Sequence, residues 1–168
     1  MLEPDYYFES VYEIPFGKLW EKGIRGFIFD IDNTLTAYDE KGPSTEATEL
    51  LLRLHDMGFR LCLLTNNTKR RLASFNQDLG LPGFANALKP FTFGIKKAIN
   101  DMELNSSQIA IIGDQLLTDI WAGKNAGLTT ILVKPITQRD FVFVKFKRII
   151  EKRMLKKFFA NLERQSDV

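Results

Sequence analysis

Apolar runs alternate with amphipathic helical patterns along this chain, and that order admits few folds. Arg25 to Asp30 reads as a strand. Pro43-Ser44-Thr45-Glu46 opens a helix that carries Ala47, Leu50, Leu51 and Leu54 at helical spacing and stops at Gly58. Phe59 to Leu64 is a second strand. Asn67 or Thr68 caps the next helix, which carries Leu72, Phe75 and Leu79 to Gly80. A loop around Pro82-Gly83 leads to a short apolar stretch near Ala87-Leu88. Phe93 to Met102 is helical, Ile109 to Ile112 a strand, Leu116 to Ala126 a helix ended by Gly127, and Thr129 to Val133 a strand. Alternation of this kind predicts an α/β domain built on a doubly wound parallel sheet with helices on both faces. The strands are continuously apolar rather than alternating, as strands covered on both sides are.

A chain of 168 residues, 45% of them apolar, is expected to form one domain over 1–168 with a substantial core. That core is expected at about 24–134, followed by a basic helical segment at about 140–165. From Lys134 to Val168, ten Lys/Arg stand against four Asp/Glu, a net +6, so the remainder carries −4. A basic, aromatic-rich tail on a mildly acidic body suits contact with an anionic surface; it equally suits a helix with one apolar side docked on the core. A single cysteine, Cys62 in Leu61-Cys62-Leu63-Leu64, excludes an internal disulfide and reads as a small buried hydrophobe. The single histidine, His55, lies in a helical pattern as a surface residue and has no second histidine with which to build a zinc site. The acidic start Met1-Leu2-Glu3-Pro4-Asp5 lacks the features of a secretory signal. No run reaches the ~20 apolar residues of a membrane span. The expected location is cytoplasmic, at most peripheral to the inner face of a membrane, and nothing points to DNA as a partner.

Four stretches put polar chemistry at strand ends. Phe27-Ile28-Phe29 runs directly into Asp30-Ile31-Asp32-Asn33-Thr34; Leu64 runs into Thr65-Asn66-Asn67; Lys89-Pro90 follows; Gly113-Asp114-Gln115 through Asp119 closes the set. In open parallel sheets, ligands bind beyond the carboxyl ends of the strands. Asp30 and Asp32 share a face if the chain stays extended, and converge from two directions if it turns. Either way, two negative charges at the edge of an apolar layer are costly unless a cation sits with them. Mg²⁺, which takes hard oxygen ligands and is commonly held by one or two carboxylates plus phosphate, is the candidate.

Such a set can do phosphoryl chemistry. A carboxylate can attack phosphorus and form an aspartyl-phosphate. A divalent ion removes much of the repulsion between anionic nucleophile and anionic phosphate. A second carboxyl protonates the leaving alkoxide and later deprotonates water. A lysine and a hydroxyl hold the non-bridging oxygens.

These four stretches, in this order from about Phe27 to Val133, resemble the haloacid dehalogenase (HAD) superfamily of phosphohydrolases. The resemblance implies a Rossmann-like HAD fold with Asp30 as nucleophile and Asp32 as general acid/base. It implies that Thr65 and Lys89 bind the phosphoryl group, and that Asp30, the Asp32 main-chain carbonyl and Asp114 bind Mg²⁺. Asp119 is either a further metal-shell group or a partner that orients Lys89. An Asp two residues after the nucleophile favours phosphatase over dehalogenase. Asn66 is expected beside Thr65 and Lys89 as a phosphate-binding residue, and Asn66 and Asn67 are placed to add hydrogen bonds at the mouth of the site. Lys69, Arg70 and Arg71 open the following helix, either as a solvated first turn or as contacts for an anionic substrate. Lys96 and Lys97 read as surface residues, and Gln115 as a shaper of its loop.

Members of this superfamily select substrates largely through cap insertions. Leu35 to Gly42 and Thr68 to Leu88 are too short for one, so no cap domain and an open site are expected. Chain length, the missing cap and the basic C-terminal region resemble the bacterial YqeG-like branch, related to mitochondrial phosphatidylglycerophosphate phosphatases. The resemblance thus points to a phosphatidylglycerophosphate-type phospholipid, presented at an anionic membrane surface through the basic segment. Three other readings stand beside it: a phosphatase for soluble phosphosugars or nucleotides, a non-catalytic RNA-, ribosome- or protein-binding module on the same scaffold, and a receiver-like signalling domain that accepts phosphate on Asp but would not need Asp32. Oligomeric state is not legible.

Overall fold

The computed structural model describes residues 2–137. The basic segment expected at 140–165 lies outside the described residues. Six strands form one sheet in the order β1-β6-β5-β2-β3-β4: β1 (Tyr6–Phe8), β2 (Gly26–Phe29), β3 (Arg60–Leu64), β4 (Gly83–Phe84), β5 (Ile109–Gly113) and β6 (Thr129–Val133). Every pairing is parallel. The helices are α1 (Phe16–Glu21), α2 (Thr45–Asp56), α3 (Lys69–Asn76), α4 (Phe93–Met102) and α5 (Trp121–Asn125).

Side chains alternate across the pleat, so each strand feeds two cores. Phe27, Phe29, Leu61, Leu63, Ala110 and Ile112 pack on one face with Phe16 and Leu19 of α1, Leu50, Leu51 and Leu54 of α2, and Phe75 of α3. Ile28, Cys62, Leu64, Ile109 and Ile111 pack on the other with Ile95, Ala98 and Met102 of α4 and Ala122 of α5. This is the doubly wound arrangement. Cys62 is enclosed there, and burial pushes its thiol up to about 12. His55 is exposed on α2.

The helix starts follow from their caps. Ser44 Oγ accepts from Ala47 N (3.1 Å) and Thr68 Oγ1 accepts from Arg71 N (3.2 Å), each satisfying an amide that the helix itself leaves unpaired. Gly58 at φ +91° and Gly127 at φ +72° supply the left-handed turns that release α2 and α5 into the next strands.

Three features depart from the expected pattern. The chain before residue 24 adds an edge strand, β1, beside β6, and helix α1. Three half-buried residues are too few to show a period. Asp5 anchors them, accepting from Thr130 N and Thr130 Oγ1, each at 2.8 Å. Gly83–Phe84, expected in a loop, forms the two-residue strand β4 beside Leu63 and Leu64. The helix expected from Leu116 to Ala126 opens as a π-helical turn, Leu116–Ile120, and only Trp121–Asn125 is α-helical.

The loops at the carboxyl ends stay short. Residues 37–44 carry neither helix nor strand, and between β3 and α4 lie only α3 and β4. Among the described residues neither interval holds a cap domain.

Candidate active site

β2 ends at Phe29, and the chain turns at once. Ile31 O accepts from Leu35 N (3.0 Å), and Asn33 N donates to Thr36 O (2.7 Å) with Asn33 in the left-handed region at φ +64°. Asp30 N still donates to Ile112 O of β5 (2.9 Å), so Asp30 is held by the sheet while Asp32 is already in the turn. Of the two alternatives for this pair, the turn holds. The two carboxylates face different partners.

Asp30 Oδ1 accepts from Lys89 Nζ at 2.6 Å, and Asp30 Oδ2 from Thr34 Oγ1 at 3.3 Å. Lys89 Nζ also lies 2.6 Å from Asp119 Oδ1 and donates to Leu64 O at 3.0 Å. All three ionisable groups are buried. Burial works against the Lys89 charge, but Asp119 and Asp30 outweigh it and hold the ammonium above its ordinary range. Burial pushes Asp30 up to about 7; Lys89 opposes that rise, while the charges of Asp119 and Asp32 add to it.

Lys89 is aimed by its main chain. Asn66 Nδ2 donates to Lys89 O (3.0 Å) and Lys89 N donates to Asn66 Oδ1 (2.7 Å), across a cis Lys89–Pro90 peptide. The side chain after Thr65 thus grips the loop carrying the lysine. The π-helical turn does the same for Asp119. Its wider winding, with Ile120 N donating to Gln115 O (3.2 Å), brings Asp119 Oδ2 back to accept from Gln115 N (3.1 Å).

Asp32 is engaged on both oxygens. Oδ1 accepts from Arg71 Nε at 2.8 Å; Oδ2 accepts from Asn67 Nδ2 (3.3 Å) and Thr65 Oγ1 (3.4 Å). Arg71 Nη1 donates further to Glu40 O (2.6 Å) and Lys41 O (2.8 Å), tying the loop after the turn to α3. Arg71 is therefore no solvated first-turn residue. Its signal in the sequence, three basic residues opening a helix, did not say which of the three turns inward. Thr34, Tyr38 and Thr118 are further site residues that sequence reasoning passed over as such. Thr34 stands in the run from Asp30 to Thr34 and Thr118 in the run from Gly113 to Asp119, whereas Tyr38 has no motif around it.

Carboxylate oxygens of Asp30, Asp114 and Asp119 lie within 4.8 Å of one another, all buried. Among the described residues, Asp30 and Asp119 share the ammonium of Lys89, and Asp114 lies beside them. Hard oxygen donors gathered in this way fit a divalent cation. The Asp32 carboxylate points elsewhere, which leaves its main-chain carbonyl as its only route to an ion. Asp30, Asp32, Thr65, Lys89, Tyr38 and Thr118 line an open cleft of about 230 Å³ at the carboxyl ends of the strands.

Gly113, at the end of β5, has no space for a side chain. A Cβ there would fall 2.5 Å from both Cβ and Oδ2 of buried Asp119. Gly113→Ala is expected to push Asp119 away from Lys89, lowering stability by about 2–3 kcal/mol and any turnover at this site by roughly 10²-fold. Urea unfolding and initial rates on the purified variant check both.

Comparisons with known proteins identify the family. A family model described as HAD-hyrolase-like matches residues 87–137. The chain is 34% identical over 152 residues to "Probable phosphatase YqeG" of Bacillus subtilis (strain 168), covering 90% of this chain and 88% of that protein. It is 24% identical over 158 residues to "Phosphatidylglycerophosphate phosphatase 1, chloroplastic/mitochondrial" of Arabidopsis thaliana, covering 83% of this chain but 44% of that protein's length. In structure it is similar to the cobalt-bound form of the deoxy-D-mannose-octulosonate 8-phosphate phosphatase of Haemophilus influenzae, with a TM-score of 0.56, 20% identity, and 69% and 70% of the two chains covered. A relative at this identity, matched over nearly the full length of both proteins, fixes the lineage: the chain belongs to the HAD-like phosphatases, hydrolases of phosphoric monoesters.

Proposed function

We propose that this phosphatase works through an aspartyl-phosphate on Asp30, with Mg²⁺ as cofactor and a phosphomonoester carried on a phospholipid, of the phosphatidylglycerophosphate type, as substrate. The observation that carries the reading is the buried meeting of Asp30, Lys89, Asp114 and Asp119 at one strand-end cleft, with Asp32 held alongside.

An oxygen of the Asp30 carboxylate attacks phosphorus, and the bond from phosphorus to the ester oxygen breaks. Asp32 gives its proton to the departing alkoxide. Water then attacks the phosphorus of the acyl phosphate; Asp32 takes the water proton, the phosphorus–Asp30 bond breaks, and inorganic phosphate leaves with Asp30 restored. Lys89 Nζ and Thr65 Oγ1 hold the non-bridging oxygens, and Asn66 keeps Lys89 in place. Asp30, Asp114 and the Asp32 carbonyl would hold the ion, which supplies charge neutralisation at the phosphoryl oxygens. Asp119 orients Lys89 and stands close enough to support the ion.

Two observations outside the site support the finer parts. The Haemophilus phosphatase, which shares the fold, is a cobalt-bound form, so this scaffold accepts a divalent metal. The Arabidopsis relative is named for a lipid phosphate. The open cleft, without a cap among the described residues, suits a substrate whose bulk stays outside.

The test is phosphate release from phosphatidylglycerophosphate and from a panel of soluble phosphosugars and nucleotides. With Mg²⁺ the lipid is expected to exceed the soluble esters in kcat/KM by at least roughly tenfold. Chelator is expected to stop turnover, and Mg²⁺ to raise the apparent melting temperature in a concentration-dependent way. Equal rates with and without chelator would remove the metal from the mechanism, and preference for a soluble ester would remove the lipid.

A further inference from the structure

The turn that delivers Lys89 inward delivers two large apolar side chains outward. Phe91 N donates to Leu88 O (2.9 Å), closing the turn with Lys89 inside it. Leu88 is 65% exposed, Phe91 72% and Phe93, at the start of α4, 64%. Buried Lys89 thus sits between the most exposed large hydrophobic side chains among the described residues. Leu88 also takes φ +56°, a left-handed conformation that branched apolar residues avoid. The Asn66 clamp on both polar backbone atoms of Lys89 keeps it there.

Charge on the same stretch is one-sided. From Leu79 to Asn100 the chain carries three lysines and no Asp or Glu. Lys89 is consumed by the site; Lys96 and Lys97 are exposed on α4. Lys97 Nζ lies 4.4 Å from the centre of the Phe93 ring, so ammonium and aromatic present themselves together. Exposed aromatic and aliphatic side chains backed by lysines suit the boundary between lipid headgroups and acyl chains.

We propose that Leu88, Phe91 and Phe93, with Lys96 and Lys97 behind them, form a seat that inserts shallowly into an anionic phospholipid surface and sets the catalytic cleft against it. This deepens the lipid-phosphate reading above and rests on it for its purpose. Complementary charge favours this occupant, since anionic headgroups match a stretch that carries lysines and no acids. The position of the seat favours it too. Leu88 and Phe91 flank Lys89, which lines the cleft, so a lipid surface that met them would present its phosphates beside that lysine. No helix among the described residues is long and apolar enough to cross a membrane.

The test uses the full chain and vesicles of phosphatidylglycerol and phosphatidylcholine in equal parts, compared with phosphatidylcholine alone. Wild type is expected to co-sediment with the anionic vesicles. Phe91→Ser/Phe93→Ser is expected to bind them roughly tenfold more weakly while hydrolysing an aryl phosphate in solution at the wild-type rate. Phe91→Trp is expected to add a blue-shifted emission that brominated acyl chains quench. Wild type that stays in the supernatant, a double variant that sediments like wild type, or an introduced tryptophan that bromine does not quench would each overturn the seat. Loss of aryl phosphate turnover in every protein would instead count against the enzymatic reading, and the sedimentation result would stand apart from it.

Discussion

Asp30→Asn is expected to abolish phosphate release and, in the absence of metal, to make the protein more stable. Turnover of an aryl phosphate should fall by roughly 10³-fold or more, because the amide cannot form the acyl phosphate and no neighbouring group replaces it. Stability follows from the environment of the carboxylate. Burial raises Asp30 from its reference value of 3.8 to about 7, with the charges of Asp119 and Asp32 adding to the rise and Lys89 opposing it. A carboxyl whose folded pKa lies above its unfolded one binds more protons when folded, so its contribution to stability falls as pH climbs between those two values. At neutral pH the wild-type protein therefore carries a strained charge that the amide lacks. The variant is expected to exceed it by on the order of 2 kcal/mol in chelator at neutral pH, with the gap closing toward pH 4. Denaturant titrations at the two pH values measure the gap. Turnover that persists in the variant would reject Asp30 as nucleophile, and a gap of opposite sign would reject the account of its charge.

Lys89→Met is expected to damage fold and function together. The ammonium stands 2.6 Å from a carboxylate oxygen on each side and donates to Leu64 O. Its removal takes the shared cation from between buried Asp30 and Asp119, and breaking a buried pair in this way costs about 3–5 kcal/mol. Destabilisation should shrink toward pH 4, where the acids take up protons, and in millimolar Mg²⁺, which replaces the missing positive charge. Turnover should still fall by roughly 10²–10³-fold with Mg²⁺ present, since the ion would not take over the contacts to non-bridging oxygens proposed for the lysine. Unfolding curves with and without Mg²⁺, beside initial rates, separate the two effects. A Lys89→Met protein as stable as wild type in chelator would contradict the charge balance described for the site.

The central sheet was legible because its strands are long and apolar on both faces. Phe27 to Phe29, Leu61 to Leu64 and Ile109 to Ile112 can only be buried, and their termini carry the polar residues. The outer elements were not legible for a reason of length. Tyr6–Phe8 and Gly83–Phe84 span too few residues for a period of two to register, and each depends on a neighbour already in the sheet. The π-helical turn escaped because Leu116 to Ile120 keeps a helical mix of residues; what widens it is the return of Asp119 to Gln115 N, a contact between a side chain and a main-chain amide. Within the site, the strand-end acids and Lys89 were readable from order and spacing. Arg71 was not, because its partners are the main-chain oxygens of Glu40 and Lys41 and a carboxylate brought near by the turn after β2. Nor was the role of Asn66, which acts on the backbone of a residue 23 positions away.

The Arg71 guanidinium, shared between Asp32 and the carbonyls of residues 40 and 41, has an evolutionary corollary. A lineage that lengthened the loop between Thr36 and Ser44 into a lid would have to pull those carbonyls off the arginine, and the same displacement would loosen Asp32, the acid proposed to carry the proton. Growth at that point is thus penalised twice, once in folding and once in chemistry. New selectivity is more cheaply acquired from side chains on the existing rim than from added domains there.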